Sequence, residues 1–294
     1  MKGYKGFSKG MICRGKQYAE NTVFEEDEAI VCSKGMHFCK EPLDVLEYYP
    51  FLDDNGDMND FAEVEALDEA KTDDDKKYCT TKLRIGAKID FAKLVQASVN
   101  FEYEKIDDTK IKTTKKDYAK IGSSGDCAKI GSSGYSAQIG SSGDSAQIGS
   151  SGYSAQIGSS GDCAQIGSSG DYAKIGSSGN YAQIGSSGYS AKIGSSGDYA
   201  QIGSSGDYAQ IGSSGDYAKI SSTGKYAVIC CAGNASCAKG KINSWLTLAE
   251  WEYSEQEKCN IPICVKTEKI DGIKIKEDTF YKLQNGEFVE VKGE

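Results

Sequence analysis

His37 is the one histidine in a chain of 294 residues, and it stands among thiols. Cys13, Cys32, His37 and Cys39 form a candidate metal set, because thiolates and an imidazole are ligands that zinc accepts. Their spacing matches no common zinc pattern, and the competing reading makes Cys32 and Cys39 small core residues. A single histidine also excludes a His-rich metal site and any scheme that needs two. As a general base, His37 would need an orienting acid and a nucleophile, and the sequence identifies neither. No cofactor is therefore expected. A second set of reactive side chains recurs with a long period. Asp126, Asp144, Asp162, Asp198 and Asp216 fall on one 18-residue register, with Asn180 completing it, while Tyr135, Tyr153 and Tyr189 fall on the alternate register. Such columns can dock a partner, since tyrosine is enriched at interfaces. Alternatively, each Asp caps its own turn. Calcium binding of the nonapeptide β-roll type is disfavoured, because half of the turns lack the carboxylate.

The elements that carry these columns are legible from a repeat. Isoleucine recurs every nine residues from Ile121 to Ile229, each with an alanine two positions earlier, and Gly-Ser-Ser-Gly occurs eleven times between them. Ala and Ile two apart share one face of a strand, with Lys or Gln on the other. The five residues Gly-Ser-Ser-Gly-Asp are expected to turn the chain, with glycine supplying positive φ. One unit buries only an Ala and an Ile, so a continuous core requires stacking, which defines a parallel β-solenoid. A flexible Gly/Ser linker would not hold Ile and Ala in phase through so many units. The Asp and Tyr columns separate at a period of 18 and mix at 27, so two nonapeptides should make one coil.

The flanks read differently. Val23–Cys39 and Asp60–Leu67 alternate in part, as short strands do. Pro42–Tyr49 reads as a short helix with proline in its first turn. Leu83–Val95 reads as a strand followed by a helix. After the repeats, Trp245–Trp251, Ile261–Thr267, Ile273–Ile275, Thr279–Leu283 and Phe288–Val291 read as strands, with Asn285-Gly286 as a hairpin turn. The expected fold is mainly β. An N-terminal α+β domain (1–105) and a lead-in segment (106–116) precede the solenoid (117–232), and a small antiparallel β cap (233–294) follows it.

Composition removes several classes. Glycine is abundant, at 35 residues, but there are only 3 prolines, so collagen-like and proline-rich chains are excluded. With 43 acidic and 34 basic residues the net charge is −9, which argues against a broad nucleic-acid-binding face. No apolar run is long enough to span a membrane, and Met1–Gly10 lacks a signal-peptide core. Eleven cysteines without an export signal suggest reduced thiols in a cytoplasm.

Three motifs carry a resemblance. Lys34-Gly-Met-His-Phe-Cys-Lys-Glu-Pro-Leu-Asp-Val-Leu-Glu-Tyr-Tyr-Pro-Phe51 lies between Cys13-Arg-Gly-Lys-Gln-Tyr18 and Phe61-Ala-Glu-Val-Glu-Ala-Leu67. The nonapeptides follow, and Asp271-Gly-Ile-Lys-Ile-Lys-Glu-Asp-Thr-Phe-Tyr-Lys-Leu283 closes the chain. Together they resemble an uncharacterised family of phage and prophage proteins. The resemblance implies the cytoplasm of a bacterial host and a host protein or complex as partner. A non-enzymatic inhibitor of a defence or nucleic-acid-processing complex is the leading expectation, with no strong nucleic-acid or membrane binding, and with self-association left open. A structural role in the virion is a further alternative. Arg14-Gly15, Gly35-Met-His-Phe38 and Tyr48-Tyr49 are also loosely similar to ADP-ribosyltransferase folds. That similarity implies an enzyme with Arg14 and Glu65 as candidate catalytic residues.

Overall fold

The computed structural model describes residues 1–53, 55–105 and 111–291. Part of the expected lead-in segment, 106–110, lies outside them. The N-terminal domain is a seven-stranded antiparallel sheet of β1 (Lys2–Phe7), β4 (Thr22–Glu25), β5 (Met36–Cys39), β6 (Asp60–Ala66), β7 (Lys71–Thr72), β8 (Lys77–Thr80) and β9 (Lys82–Ile89). Their order is β4-β9-β6-β1-β5-β8-β7. A separate hairpin pairs β2 (Ile12–Cys13) with β3 (Lys16–Gln17). Arg14 and Gly15 form its two-residue turn at φ 50° and 76°, the left-handed pair that such hairpins require. The expected short helix is a 3₁₀ turn, Leu43–Glu47, with Pro42 at its start. The expected strand at Val23–Cys39 breaks into β4 and β5, with Gly35 at φ 83° in the loop between them. The expected strand and helix after Leu83 are β9 and α1 (Phe91–Lys105).

The solenoid is a parallel two-sided coil of 18 residues. Ile130 pairs with Ile148 and Ile139 with Ile157, and the same step repeats along the rod. Stacking starts earlier than the repeat motif suggests, because Ile111–Thr114 already pairs with Lys129–Ser132. One sheet carries Lys129–Ser132, Gln147–Ser150 and their successors at 18-residue steps. The other carries Lys120–Ser123, Gln138–Ser141 and theirs. Ala and Ile are buried throughout the middle coils, at 0–4% exposure, so the core is a double column of small and branched side chains.

Two expectations about the repeat are corrected. The strand is Lys/Gln-Ile-Gly-Ser, so the first glycine and first serine belong to the strand and not to the turn. Alternation simply continues: Ala, Ile and the first Ser point inward, while Lys/Gln and the first Gly point outward. Glycine also does not supply the left-handed residue. That residue precedes each Ala and is Tyr, Ser or Cys, from Tyr118 at φ 56° to Tyr226 at φ 59°. The second glycine answers to close approach instead. A Cβ on Gly152, Gly170 or Gly179 would lie 2.0 Å from the carbonyl oxygen of Gly134, Gly152 or Gly161, its equivalent one coil earlier. Stacked backbones at roughly 4.8 Å leave no room there for a side chain.

The C-terminal end of the rod is covered on both sheets. Trp245–Ser254 continues one sheet in parallel through Ile229↔Leu246, then folds back antiparallel on Cys259–Lys269. Tyr281–Gln284 closes the other sheet and pairs with Glu287–Glu290 around Asn285-Gly286 at φ 53° and 70°. These antiparallel strands end the parallel ladder, so no coil edge is left to template growth at that end. Ile273–Ile275 is not a strand: the Asp271 carboxylate accepts the Ile273, Lys274 and Ile275 amides and holds a turn.

Candidate functional site

The two solenoid faces start from the same unit and end in different states. Over one sheet lies α1. Phe91 packs against Gly185, Ala92 against Gly167 and Gln96 against Gly149, while Ser98 donates to Gln147 Oε1 at 3.0 Å. Phe51 stacks on Phe91 at 4.3 Å and covers Gly203. Near the end of this face the Lys239 ammonium pairs with Asp57 and sits 4.6 Å above the Phe280 ring, tying the N-terminal domain to the cap. The other sheet is uncovered. Gly140, Gly158, Gly176 and Gly194 have nothing within reach of an added Cβ, and they floor a groove flanked by Gln138, Gln156, Lys174 and Lys192. The outward column mixes Lys and Gln on both faces: Lys129, Gln147, Gln165 and Gln183 lie under α1, and Lys120, Gln138, Gln156, Lys174, Lys192 and Gln210 line the open groove.

The turns form two edges. The Asp column at 126, 144, 162, 198 and 216 lies on one, and the carboxylates do not cap their own turns. Asp126 Oδ1 accepts the amide of Asp144 at 3.0 Å, Asp144 Oδ1 that of Asp162 at 2.9 Å, and Asp162 Oδ1 that of Asn180 at 2.7 Å. Asn180 and Asp198 continue the series to Asp198 and Asp216. Each turn's own left-handed amide is already engaged by the next coil, as Cys127 N is by Asp144 O at 2.7 Å. Stacking therefore redirects a local cap into a bond between coils.

Tyr135, Tyr153 and Tyr189 lie on the opposite edge, and the structure fills the gaps between them. Where Asp or Lys holds their position, the next residue is Tyr. Tyr118, Tyr135, Tyr153, Tyr172, Tyr189, Tyr208 and Tyr226 thus form one ladder, with ring centroids 5.1–5.8 Å apart. The Asp edge carries a shorter ladder, Tyr181–Tyr199–Tyr217, at 4.9 Å. Rings of the long ladder remain 42–69% exposed. Sequence reasoning missed Tyr118, Tyr172, Tyr208 and Tyr226. The signal was the pairing rule Tyr-Ser or Asp/Lys-Tyr after each second Gly-Ser-Ser-Gly.

The N-terminal candidates divide between two clefts. Cys13, Arg14, His37 and Cys39 line one with Lys5, Tyr48 and Tyr49, whereas Cys32 is exposed in the loop after β4. Among the described residues no group of three or more His, Cys, Asp or Glu side chains is placed to hold a metal ion. The main physical obstacle is burial. Burial, then the Lys5, Arg14 and Lys77 charges, lower His37 to about 4, and burial pushes the Cys39 thiol up to about 12. Glu65 lies in the other cleft, where its carboxylate pairs with Arg84 at 2.6 Å, so the structure does not bring it to Arg14.

Residues 1–97 match the family model described as Domain of unknown function (DUF7666). The DUF7666 match thus spans the seven-stranded sheet and the first half of α1, the part that sits on Gly167 and Gly185. No curated protein and no solved structure matches the chain. No helix among the described residues is long and apolar enough to cross a membrane.

Proposed function

We propose that this chain is a non-enzymatic interaction protein that docks a partner protein on the open solenoid face. One observation carries the reading. Two sheets of the same repeat present the same glycine groove; α1 fills one and the other runs uncovered beside a tyrosine ladder. A helix of the α1 type, with small and aromatic residues over the glycines, fits the open groove. Acidic residues toward Lys174 and Lys192 would complement the charge there. Exposed tyrosines supply rigid, amphipathic contact area along its border. The resemblance of the N-terminal motifs to phage and prophage proteins supports a bacterial host protein as partner. On this reading it belongs to a defence or nucleic-acid-processing complex, which docking inhibits.

The test uses the full chain and two variants as bait in host lysate, with a phage-protection assay in parallel. Gly158→Trp/Gly176→Trp fills the open groove, and Tyr135→Ser/Tyr153→Ser/Tyr189→Ser thins the ladder. The wild type should retain one stoichiometric partner and relieve one defence system. Each variant should lose both while melting like the wild type. Absence of a stoichiometric partner, or retention undiminished in both variants, would overturn the proposal.

A further inference from the structure

The cleft of the N-terminal domain carries a charge pattern that docking on the solenoid does not use. Lys5 lies on β1 with 4% exposure, a rare position for a lysine, and its ammonium donates to the His37 carbonyl at 2.7 Å. Arg14 leans over the cleft from the β2–β3 turn and donates only to the Ser33 carbonyl, at 3.3 Å. Lys77 enters from β8 and sits 4.3 Å above the Tyr48 ring. None of these three cations has a carboxylate partner among the described residues. The one carboxylate lining the cleft, Glu26, is paired with Lys16. Three elements thus converge three unpaired cations on one concavity.

Like charges held together in a concave, partly dry site repel, and a fold keeps such a cluster at a cost unless a counter-charge joins it. Burial lowers the Lys5 pKa, and His37 is held neutral by burial and by the Lys5, Arg14 and Lys77 charges. His37 Nε2 has no hydrogen-bond partner. Cys13, Cys39, Tyr4, Tyr18, Tyr48 and Tyr49 are the remaining titratable groups on the wall, and burial raises Cys39, Tyr18, Tyr48 and Tyr49 away from the charged form. The cavity volume is about 240 Å³. That lies below the roughly 300 Å³ at which pockets for drug-sized ligands begin, so the occupant is small.

We propose that this cleft binds a small phosphorylated molecule of sugar-phosphate size, its phosphate held by Arg14, Lys77 and Lys5. Arg14 offers the planar fork that suits phosphate oxygens, and Lys5 and Lys77 add point charges from either side. The Tyr48 and Tyr49 rings wall the less polar part of the ligand. No bond is made or broken, so the site is a sensor or anchor and needs no catalytic base.

The single histidine makes the test direct, because its imidazole proton resonances report on this cleft alone. The full chain is titrated near pH 7 with ribose 5-phosphate, ribose and sodium chloride at matched ionic strength. Ribose 5-phosphate should move the His37 resonances saturably, with half-saturation below about 1 mM. Ribose and chloride should not. The bound anion should also raise the His37 pKa from about 4 toward its ordinary value. Arg14→Gln/Lys77→Gln should bind at least about tenfold more weakly, with a far-ultraviolet spectrum like the wild type. Three outcomes would each overturn the proposal. They are a linear shift with ribose 5-phosphate, an equal response to ribose, or wild-type half-saturation in the double variant. The wild-type arms decide the matter even if the variant misfolds.

Discussion

The two faces of the rod are built from one nonapeptide and differ only in what lies on them. On the covered face the outward glycines are contact points: a Cβ at Gly167 would lie 2.7 Å from the Ala92 Cα, and one at Gly185 2.6 Å from the Phe91 ring. On the open face the same position at Gly158, Gly176 or Gly194 meets nothing. A glycine column thus has no fixed meaning of its own, and its tolerance is decided by the neighbour across the groove. From Gly134 onward the turn glycines behave alike on both edges, because their neighbour is the preceding coil.

That contrast can be broken at four levels. The core should not distinguish the faces at all. Ile175→Asp on the open side and Ile184→Asp on the covered side each bury an unpaired carboxylate, and each should cost about 4 kcal/mol or more. Cooperative thermal melting near the wild-type midpoint in either variant would contradict the stacked core. The turn glycines should come close to that effect, since Gly170→Ala forces a Cβ into the Gly152 carbonyl.

The outward glycines should separate the faces. Gly167→Ala should cost about 1–3 kcal/mol through overpacking under α1. Gly176→Ala should be neutral or stabilise by about 0.5–1 kcal/mol, because alanine costs less backbone entropy. Denaturant midpoints compare the two directly, and equal effects would mean that α1 does not seat as described.

The polar column should separate them further. Gln165 is partly buried on the covered face with its Oε1 shielded, while Gln156 is exposed on the other. Gln165→Lys should cost about 1–3 kcal/mol by placing a charge at the covered face. Gln156→Lys should stay within about 0.5 kcal/mol. Proteolysis near α1 would read the difference.

Acid should loosen the covering domain and leave the rod. The folded His37 pKa of about 4 lies below its ordinary 6.5, so the unfolded chain takes the proton first. The stabilisation is complete above pH 6.5 and is lost as pH falls through about 4. Aromatic near-ultraviolet signals of the N-terminal domain should therefore melt earlier at pH 5 than at pH 7. His37→Asn should shrink that difference while the coil ladder stays unchanged.

Much of this was legible beforehand. Ile at nine-residue spacing with Ala two before it gave the strand face, and the segregation of Asp from Tyr gave the 18-residue coil. Asn285-Gly286 announced its hairpin. The turn itself was misassigned, because Gly-Ser-Ser-Gly looks like a loop by composition, although its first two residues only continue the alternation. The left-handed residue escaped notice because it is Tyr, Ser or Cys, types that local preference would not place there. The cleft was partly visible: Cys13, Arg14, His37 and Cys39 do meet, but Lys5, Tyr49 and Lys77 arrive from strands and turns far apart in sequence.

The sequence by itself determined the coil, because periodic burial and periodic close approach are properties of every unit and need no outside partner. Only the tertiary structure decided which face α1 covers, which carboxylate bonds which amide, and which cations share a cleft. Those depend on where distant segments come to rest, and nine identical residues carry no record of what lies across the groove.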